Sequence, residues 1–211
     1  MASGGTPPYT YYWSNGETTE AITGLLAGSY SLTVTDANFC TIEGTWTVNQ
    51  PDDLMVSGTV VDVLCNGGSD GSITLSVSGG TLPYAFLWND GNTDQDRTGL
   101  TAGLYNVTVT DANSCEEFAE FTVEEPDALG VTAVVEDALC HTSCDGTITI
   151  SVTGGIAPYT YLWDSGQTTE SIDNLCAGIY TVTITDFNGC TLSDFWVINA
   201  PEELTDRKSV V

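Results

Sequence analysis

Positive charge is almost absent from this chain. Three Lys and Arg and one His stand against 29 Asp and Glu, a formal charge of −26. Two of the three basic residues, Arg207 and Lys208, sit in the last few positions, so Arg97 is the only one in the body of the sequence. A surface so poor in cations repels phosphate backbones and anionic lipid, which excludes nucleic acid as a partner. Long apolar runs are also missing: nothing approaches the roughly 20 residues a membrane-crossing helix needs, so membrane insertion is not expected. No window shows apolar residues at helical period, which removes helices from the expected fold. A single histidine leaves little for nucleophile–base chemistry.

What fills the chain is repetition, at a spacing of 75 residues without gaps. Gly4-Gly5 returns as Gly79-Gly80 and Gly154-Gly155, Trp13 as Trp88 and Trp163, Tyr30 as Tyr105 and Tyr180. Cys40 returns as Cys115 and Cys190, and Pro51 as Pro126 and Pro201. A fixed period of this length marks an array of equal modules. Residues 52–126 and 127–201 are complete units. Residues 1–51 match the last two-thirds of one, a truncated repeat with its first two strands missing and a sheet edge open to pairing with another chain. Residues 202–211 begin a further repeat and then leave the register, and Asp206 to Val211 reads as a non-native end.

Within a unit the pattern is that of strands. Ile73, Leu75 and Val77 alternate with Thr74, Ser76 and Ser78, and Tyr105, Val107 and Val109 with Asn106, Thr108 and Thr110. Period-two alternation of β-branched residues with Ser and Thr is the signature of half-buried strands. Gly79-Gly80, Asn89-Asp90-Gly91 and Ala102-Gly103 punctuate them as turns. Tyr84 to Trp88 makes a third strand. Phe121 and Val123 lie on a last one, which ends before Pro126. About six or seven short strands per unit predict an all-β fold of tandem antiparallel sandwiches of immunoglobulin-like type. Trp13, Trp88 and Trp163 are read as core, and Tyr105 as a tyrosine-corner residue.

The run Cys65-Asn66-Gly67-Gly68-Ser69-Asp70-Gly71-Ser72-Ile73, then Ser78-Gly79-Gly80, Pro83-Tyr84, Trp88-Asn89-Asp90-Gly91, Ala102-Gly103-Leu104-Tyr105, Thr110 to Cys115 and Pro126 resembles the SprB repeat. That repeat belongs to large surface proteins of Bacteroidota, including the gliding-motility adhesin, and is similar to the wider group of PKD-type immunoglobulin-like modules. The resemblance covers residues 1 to about 204. It implies a cell-surface or secreted protein exported by the type IX route, whose modules form a stalk or adhesive filament and carry no catalytic residues. The alternative is an accessory or carbohydrate-binding module array of a secreted enzyme. Aromatic residues at the outer sheet positions Tyr12, Leu87 and Leu162 would favour that, and only one is aromatic. The expected partners are adjacent repeats and surface polysaccharide.

Seven cysteines in small repeats favour an oxidising compartment. In an immunoglobulin-like sandwich the A–B and E–F loops share the lower end, and the B–C and F–G loops the upper. Cys144 replaces Ser69 in the A–B loop and Cys176 replaces Thr101 in the E–F loop, both in unit three only, which predicts a Cys144–Cys176 disulfide. Cys65 lies in an A–B loop and Cys115 and Cys190 in F–G loops, at opposite ends of a sandwich about 30 Å long. Two pairings stay open: a Cys65–Cys190 staple between units two and three, or a within-unit Cys65–Cys115 bridge on a different strand layout.

Carboxylates gather at the same junction: Asp62, Asp70, Glu124, Glu125, Asp127 and Asp186, with Asn188. Calcium takes six to eight oxygens, so a calcium-stiffened junction is one expectation. Turn-forming and solvated acids are the other. A zinc reading of Cys140-His141-Thr142-Ser143-Cys144 is disfavoured because the cluster occurs in one unit only. Gly67-Gly68-Ser69-Asp70-Gly71 matches the letters of a nucleophile elbow. That motif needs a strand–turn–helix and a partnered histidine, and Ser69 becomes Cys144 one unit on. No enzyme is expected.

Overall fold

A computed structural model describes residues 2–205, and every regular element in that range is a β-strand. The reading of residues 206–211 as a non-native end lies outside the described residues. Unit two contains β4 (Met55–Val61), β5 (Gly71–Ser78), β6 (Ala85–Trp88), β7 (Arg97–Leu100), β8 (Gly103–Thr110) and β9 (Glu116–Val123). Unit three repeats them as β10 (Gly130–Glu136), β11 (Gly146–Thr153), β12 (Thr160–Trp163), β13 (Ser171–Leu175), β14 (Gly178–Thr185) and β15 (Thr191–Ile198). In each unit two three-stranded antiparallel sheets form, β4-β5-β7 facing β6-β8-β9, and β10-β11-β13 facing β12-β14-β15. This is the A-B-E and C-F-G arrangement of an immunoglobulin-like sandwich.

The alternation in the sequence sets which face is inside. Ile73 and Leu75 of β5 and Val107 and Val109 of β8 point inward and close over Trp88, together with Val63, Leu100 and Val123. Ile148, Ile150, Val182 and Ile184 do the same over Trp163. The two clusters share no residue, so each complete unit has its own interior. The indole N–H that burial would otherwise orphan is satisfied the same way each time. Trp88 Nε1 donates to the Asp94 carbonyl at 2.8 Å, Trp163 to Thr169 at 3.0 Å and Trp13 to Thr19 at 2.9 Å. The corner tyrosines also repeat: Tyr30, Tyr105 and Tyr180 donate their hydroxyls to the carbonyls of Leu26, Thr101 and Cys176.

Unit one has β1 (Thr10–Trp13), β2 (Gly28–Thr35) and β3 (Thr41–Val48) in one sheet, the counterpart of β6-β8-β9. Among the described residues unit one has three strands where units two and three have six. Ile22 to Leu25 matches β7 in register yet forms no strand, because the partner that would supply its ladder, the counterpart of β5, is absent. More than an edge is bared. The whole inner face of the sheet lacks its facing layer, and Trp46, tilted against Trp13 at 5.6 Å between centroids, remains 53% exposed.

The diglycine turns couple each unit to the linker before it. Gly79 and Gly154 have φ of 72° and 68°, and a Cβ on either would fall 1.9 Å from a backbone carbonyl oxygen, of Asp53 and Ala128 respectively. Next to them, the Gly80 and Gly155 N–H groups donate to the carbonyls of Asp52 and Asp127 at 2.7 and 2.8 Å. Neither a left-handed backbone nor a carbonyl at that distance tolerates a side chain. Gly154→Ala is therefore expected to destabilise unit three by about 2–4 kcal/mol, read as a fall in the urea midpoint, whereas Gly166→Ala, with open space around its Cβ, should cost less.

Candidate functional site: the stapled junction between units two and three

The β4–β5 loop, at the lower end of unit two, meets the β14–β15 hairpin at the upper end of unit three. Cys65 and Cys190 are joined there, with Sγ atoms 2.02 Å and Cα atoms 5.6 Å apart, inside the range a disulfide accepts. Cys115 is not bonded to Cys65; it is free and exposed, as are Cys40 and Cys140. The within-unit alternative fails for the topological reason given above: β4–β5 and β8–β9 turn at opposite ends of the same sandwich. Cys144 and Cys176 form a second disulfide across the lower end of unit three, linking the β10–β11 and β13–β14 connections.

The hairpin that carries Cys190 is shaped by Asp186. This carboxylate is 5% exposed and accepts from the Ile156 N–H at 2.9 Å through Oδ2 and from the Cys190 N–H at 2.9 Å through Oδ1. Asp111 in unit two, equally buried, accepts from Thr81, Asn113 and Cys115 at 2.8 Å each. These N–H groups, Ile156 first for Asp186 and Cys115 first for Asp111, hold both carboxyls below the ordinary carboxylate range against the upward push of burial. A folded-state value below the unfolded one of about 3.9 gives stability that is present above that value and lost as pH falls through the lowered one. Asp186→Asn should thus weaken unit three near neutral pH and flatten its loss of stability between about pH 5 and pH 3, measured by urea titrations across that window.

One residue turns this hairpin outward. In units one and two the asparagine amide folds back, Asn38 Nδ2 donating to Thr6 Oγ1 and Asn113 Nδ2 to Thr81 Oγ1, each at 2.9 Å. Unit three has Ile156 where the others have threonine. Asn188 Nδ2 instead reaches across to the Leu64 carbonyl of unit two at 2.8 Å. Ile156 itself lines the junction cleft with Val63, Leu64 and Pro126. Ile156→Thr is expected to return Asn188 to its own unit. Losing one cross-unit hydrogen bond, about 1 kcal/mol, should slow re-formation of Cys65–Cys190 after reduction about fivefold, followed by timed alkylation and peptide mapping.

The other candidate residues hydrogen-bond within the loop and linker. Asp62 Oδ1 accepts from the Glu124 N–H at 2.9 Å and Asp70 Oδ1 from the Leu64 N–H at 3.2 Å. Glu125 accepts from Asn66 Nδ2 at 3.1 Å and from the Gly67 N–H at 2.6 Å. Glu124 and Asp127 are exposed, and Asn188 presents its amide as a donor. The calcium centre expected from these residues is not assembled: among the described residues no three His, Cys, Asp or Glu side chains group so as to hold a metal ion. Backbone N–H groups take one oxygen each of Asp62, Asp70 and Glu125 and both of Asp186, which ties these side chains to their own loops. Ser69 is exposed in the β4–β5 loop and is followed by a strand, not the helix an elbow requires.

Arg97 is internal to unit two. It pairs with Asp90 at 2.6 Å, holding that carboxyl below its ordinary value, and lies 5.2 Å over the Trp88 ring. Sequence reasoning placed the cysteines, but it missed Leu64 and Ile156. Leu64 acts through a backbone carbonyl and leaves no side-chain signal. Ile156 did leave one, as the position where the Thr6 and Thr81 pattern breaks.

No curated protein matches the chain in sequence. In three-dimensional comparison the chain is similar to the eight N-terminal immunoglobulin domains of Down Syndrome Cell Adhesion Molecule, at 12% identity and TM-score 0.45, over 92% of this chain and 33% of that one. It is similar to Sidekick-1 immunoglobulin domains 1–5, at 14% identity and TM-score 0.37, over 93% and 54%. A third likeness is to the S-layer protein rSbsC, at 14% identity and TM-score 0.34, over 94% and 36%. The chain thus spans about a third to a half of the length of these proteins, and its fold is assigned on the strand order above. The SprB repeat profile matches residues 1–18, 57–93 and 132–168, segments that begin before β1 and within or at the third residue of β4 and β10. These three segments match the SprB repeat, and the chain folds as tandem immunoglobulin-like modules.

Proposed function

We propose that the chain is a section of a cell-surface or secreted repeat protein, and that its modules serve as a stalk or adhesive filament. The single observation that carries this reading is the Cys65–Cys190 bond: a covalent link from one module to the next, placed outside both hydrophobic interiors, has no use in a freely hinged pair. It suits a fibre that must keep its length under tension. The two disulfides favour an oxidising exterior, and the acidic surface favours solubility there. Export by the type IX route is part of this proposal and rests on the SprB repeat.

Single-molecule stretching tests it. With the staple intact, force applied at the chain ends crosses the sulfur–sulfur bond, and the residues between are shielded. Modules that give way at the same force whether Cys65–Cys190 is oxidised or reduced would overturn the stalk reading.

A second reading has one specific observation behind it. Phe118 and Phe195 lie exposed on the outer faces of the β6-β8-β9 and β12-β14-β15 sheets, and Leu87 stands in the same cross-strand row as Phe118, through Thr108. Such faces fit sugar-binding modules. A glycan array with Phe118→Ala as its control separates binder from spacer.

A further inference from the structure

Both loops that meet at the staple carry the dipeptide Asn-Gly: Asn66-Gly67 in the β4–β5 loop and Asn188-Gly189 in the β14–β15 hairpin. We propose that these are two sites of intramolecular deamidation, each guarded by a contact at the junction, and that opening Cys65–Cys190 unguards Asn188. The glycine backbone nitrogen, once it has lost its proton, attacks the asparagine Cγ. The Cγ–Nδ2 bond breaks and ammonia leaves, giving a succinimide ring that water opens to aspartate or isoaspartate. Glycine favours the closure because no Cβ shields its nitrogen. The corresponding positions elsewhere read Asn38-Phe39, Asn113-Ser114 and His141-Thr142, so within units two and three Asn-Gly occurs only at this junction. Phe39 and Ser114 hold the same left-handed backbone as Gly189, with φ of 66°, 65° and 85°, so the hairpin does not demand glycine there.

Asn188 is held from outside its own hairpin. Its Nδ2 donates to the Leu64 carbonyl of unit two at 2.8 Å, and the Sγ of Cys190, bonded to Cys65, lies 3.4 Å from the same oxygen. The half-buried amide has to break this bond before it can rotate to meet the Gly189 nitrogen. Asn15-Gly16 is the unguarded comparison. Gly16 and Gly189 have φ of 88° and 85°, and their N–H groups donate to the carbonyls three residues back, of Trp13 at 2.9 Å and Asp186 at 3.1 Å. The two turns match, but Asn15 is exposed and its Oδ1 accepts from within its own turn, from the Glu17 N–H at 3.2 Å.

Asn66 is guarded by the end of its own unit. Its Nδ2 donates to Glu125 Oε1 and to the Pro126 carbonyl, each at 3.1 Å, and the Gly67 N–H donates to Glu125 Oε2 at 2.6 Å. A carboxylate bonded to that N–H opposes the loss of its proton, which the attack requires. The disulfide has no part in these bonds, so the two asparagines respond to different changes: Asn188 to opening of the staple, Asn66 to loss of the Glu125 carboxylate. Deamidation of Asn188 replaces a donor facing the Leu64 carbonyl with a carboxylate that repels it. A junction that has been opened and has aged therefore closes less readily.

The whole chain is held at mildly alkaline pH in oxidised and in reduced form, beside Cys65→Ser with Cys190→Ser, and deamidation at Asn15, Asn66 and Asn188 is timed by peptide mapping. In the oxidised chain Asn188 is expected to react at least about fivefold more slowly than Asn15, the worth of one hydrogen bond. In both opened forms it should approach the Asn15 rate. Asn66 should stay slow in all three and speed up in Glu125→Ala. Equal rates at Asn188 and Asn15 in the oxidised chain, no gain at Asn188 on opening, or a rise at Asn66 alongside it would overturn the proposal. Asn188→Asp stands for the aged chain and should re-form Cys65–Cys190 about fivefold more slowly after reduction. An unchanged rate there would count against it equally.

Discussion

Trp163→Ala is expected to unfold unit three and leave unit two standing. Trp163 is 1% exposed and sits at the centre of a cluster formed by Ile148, Ile150, Ile172, Val182 and Ile184. Removing it leaves a cavity the surrounding β-branched side chains cannot close and orphans the Thr169 carbonyl that its indole meets. The cost of such a change is about 3–5 kcal/mol, a large part of what a module of this size possesses. Because the interior of unit two shares no residue with that of unit three, its melting should move by less than the staple contributes. Two calorimetric transitions, one lowered and one nearly in place, would show this. A single shifted transition would show instead that the staple couples the units into one cooperative body.

Opening Cys65–Cys190 is the second large effect. The bond closes a loop with a sequence separation of 125 residues. On the chain-entropy account a closure of that length stabilises by about 2–4 kcal/mol or somewhat more. Cys65→Ser with Cys190→Ser should lower the stability of the pair by that order and widen the distribution of angles between the units. The first is read by urea titration and the second by small-angle scattering. Stretching offers a sharper readout. Reduction should release the shielded segment, adding about 430 Å of contour at roughly 3.4 Å per residue for the 125-residue separation. An unchanged extension on reduction would mean that force never crossed the bond. Cys144–Cys176 acts within unit three alone, so a reductant should weaken unit three more than unit two, which has Ser69 and Thr101 at those places.

Much of this was legible before any coordinates. Strand faces are written in period-two alternation, and Ile73, Leu75, Val107 and Val109 are buried where that alternation places them. The Cys144 and Cys176 pair was readable because both substitutions enter the same unit and their loops share one end. The acidic junction was read only halfway. Composition lists Asp62, Asp70, Glu125 and Asp186 as free ligands, and nothing in a sequence says that backbone N–H groups reach them first.

The chain's local order and its modular period follow from side-chain patterning alone, since burial of every second residue and the steric demands of Gly79 and Gly154 act over a few residues. Which strands exist, and which cysteines meet, are settled by long-range pairing. Ile22 to Leu25 and Arg97 to Leu100 occupy one register, yet only the second is a strand, because a β-ladder requires a neighbour and only unit two provides β5. Cys65 and Cys115 belong to one repeat, yet Cys65 bonds Cys190, because a strand's length separates the two ends of a sandwich while the end of the next module lies against it.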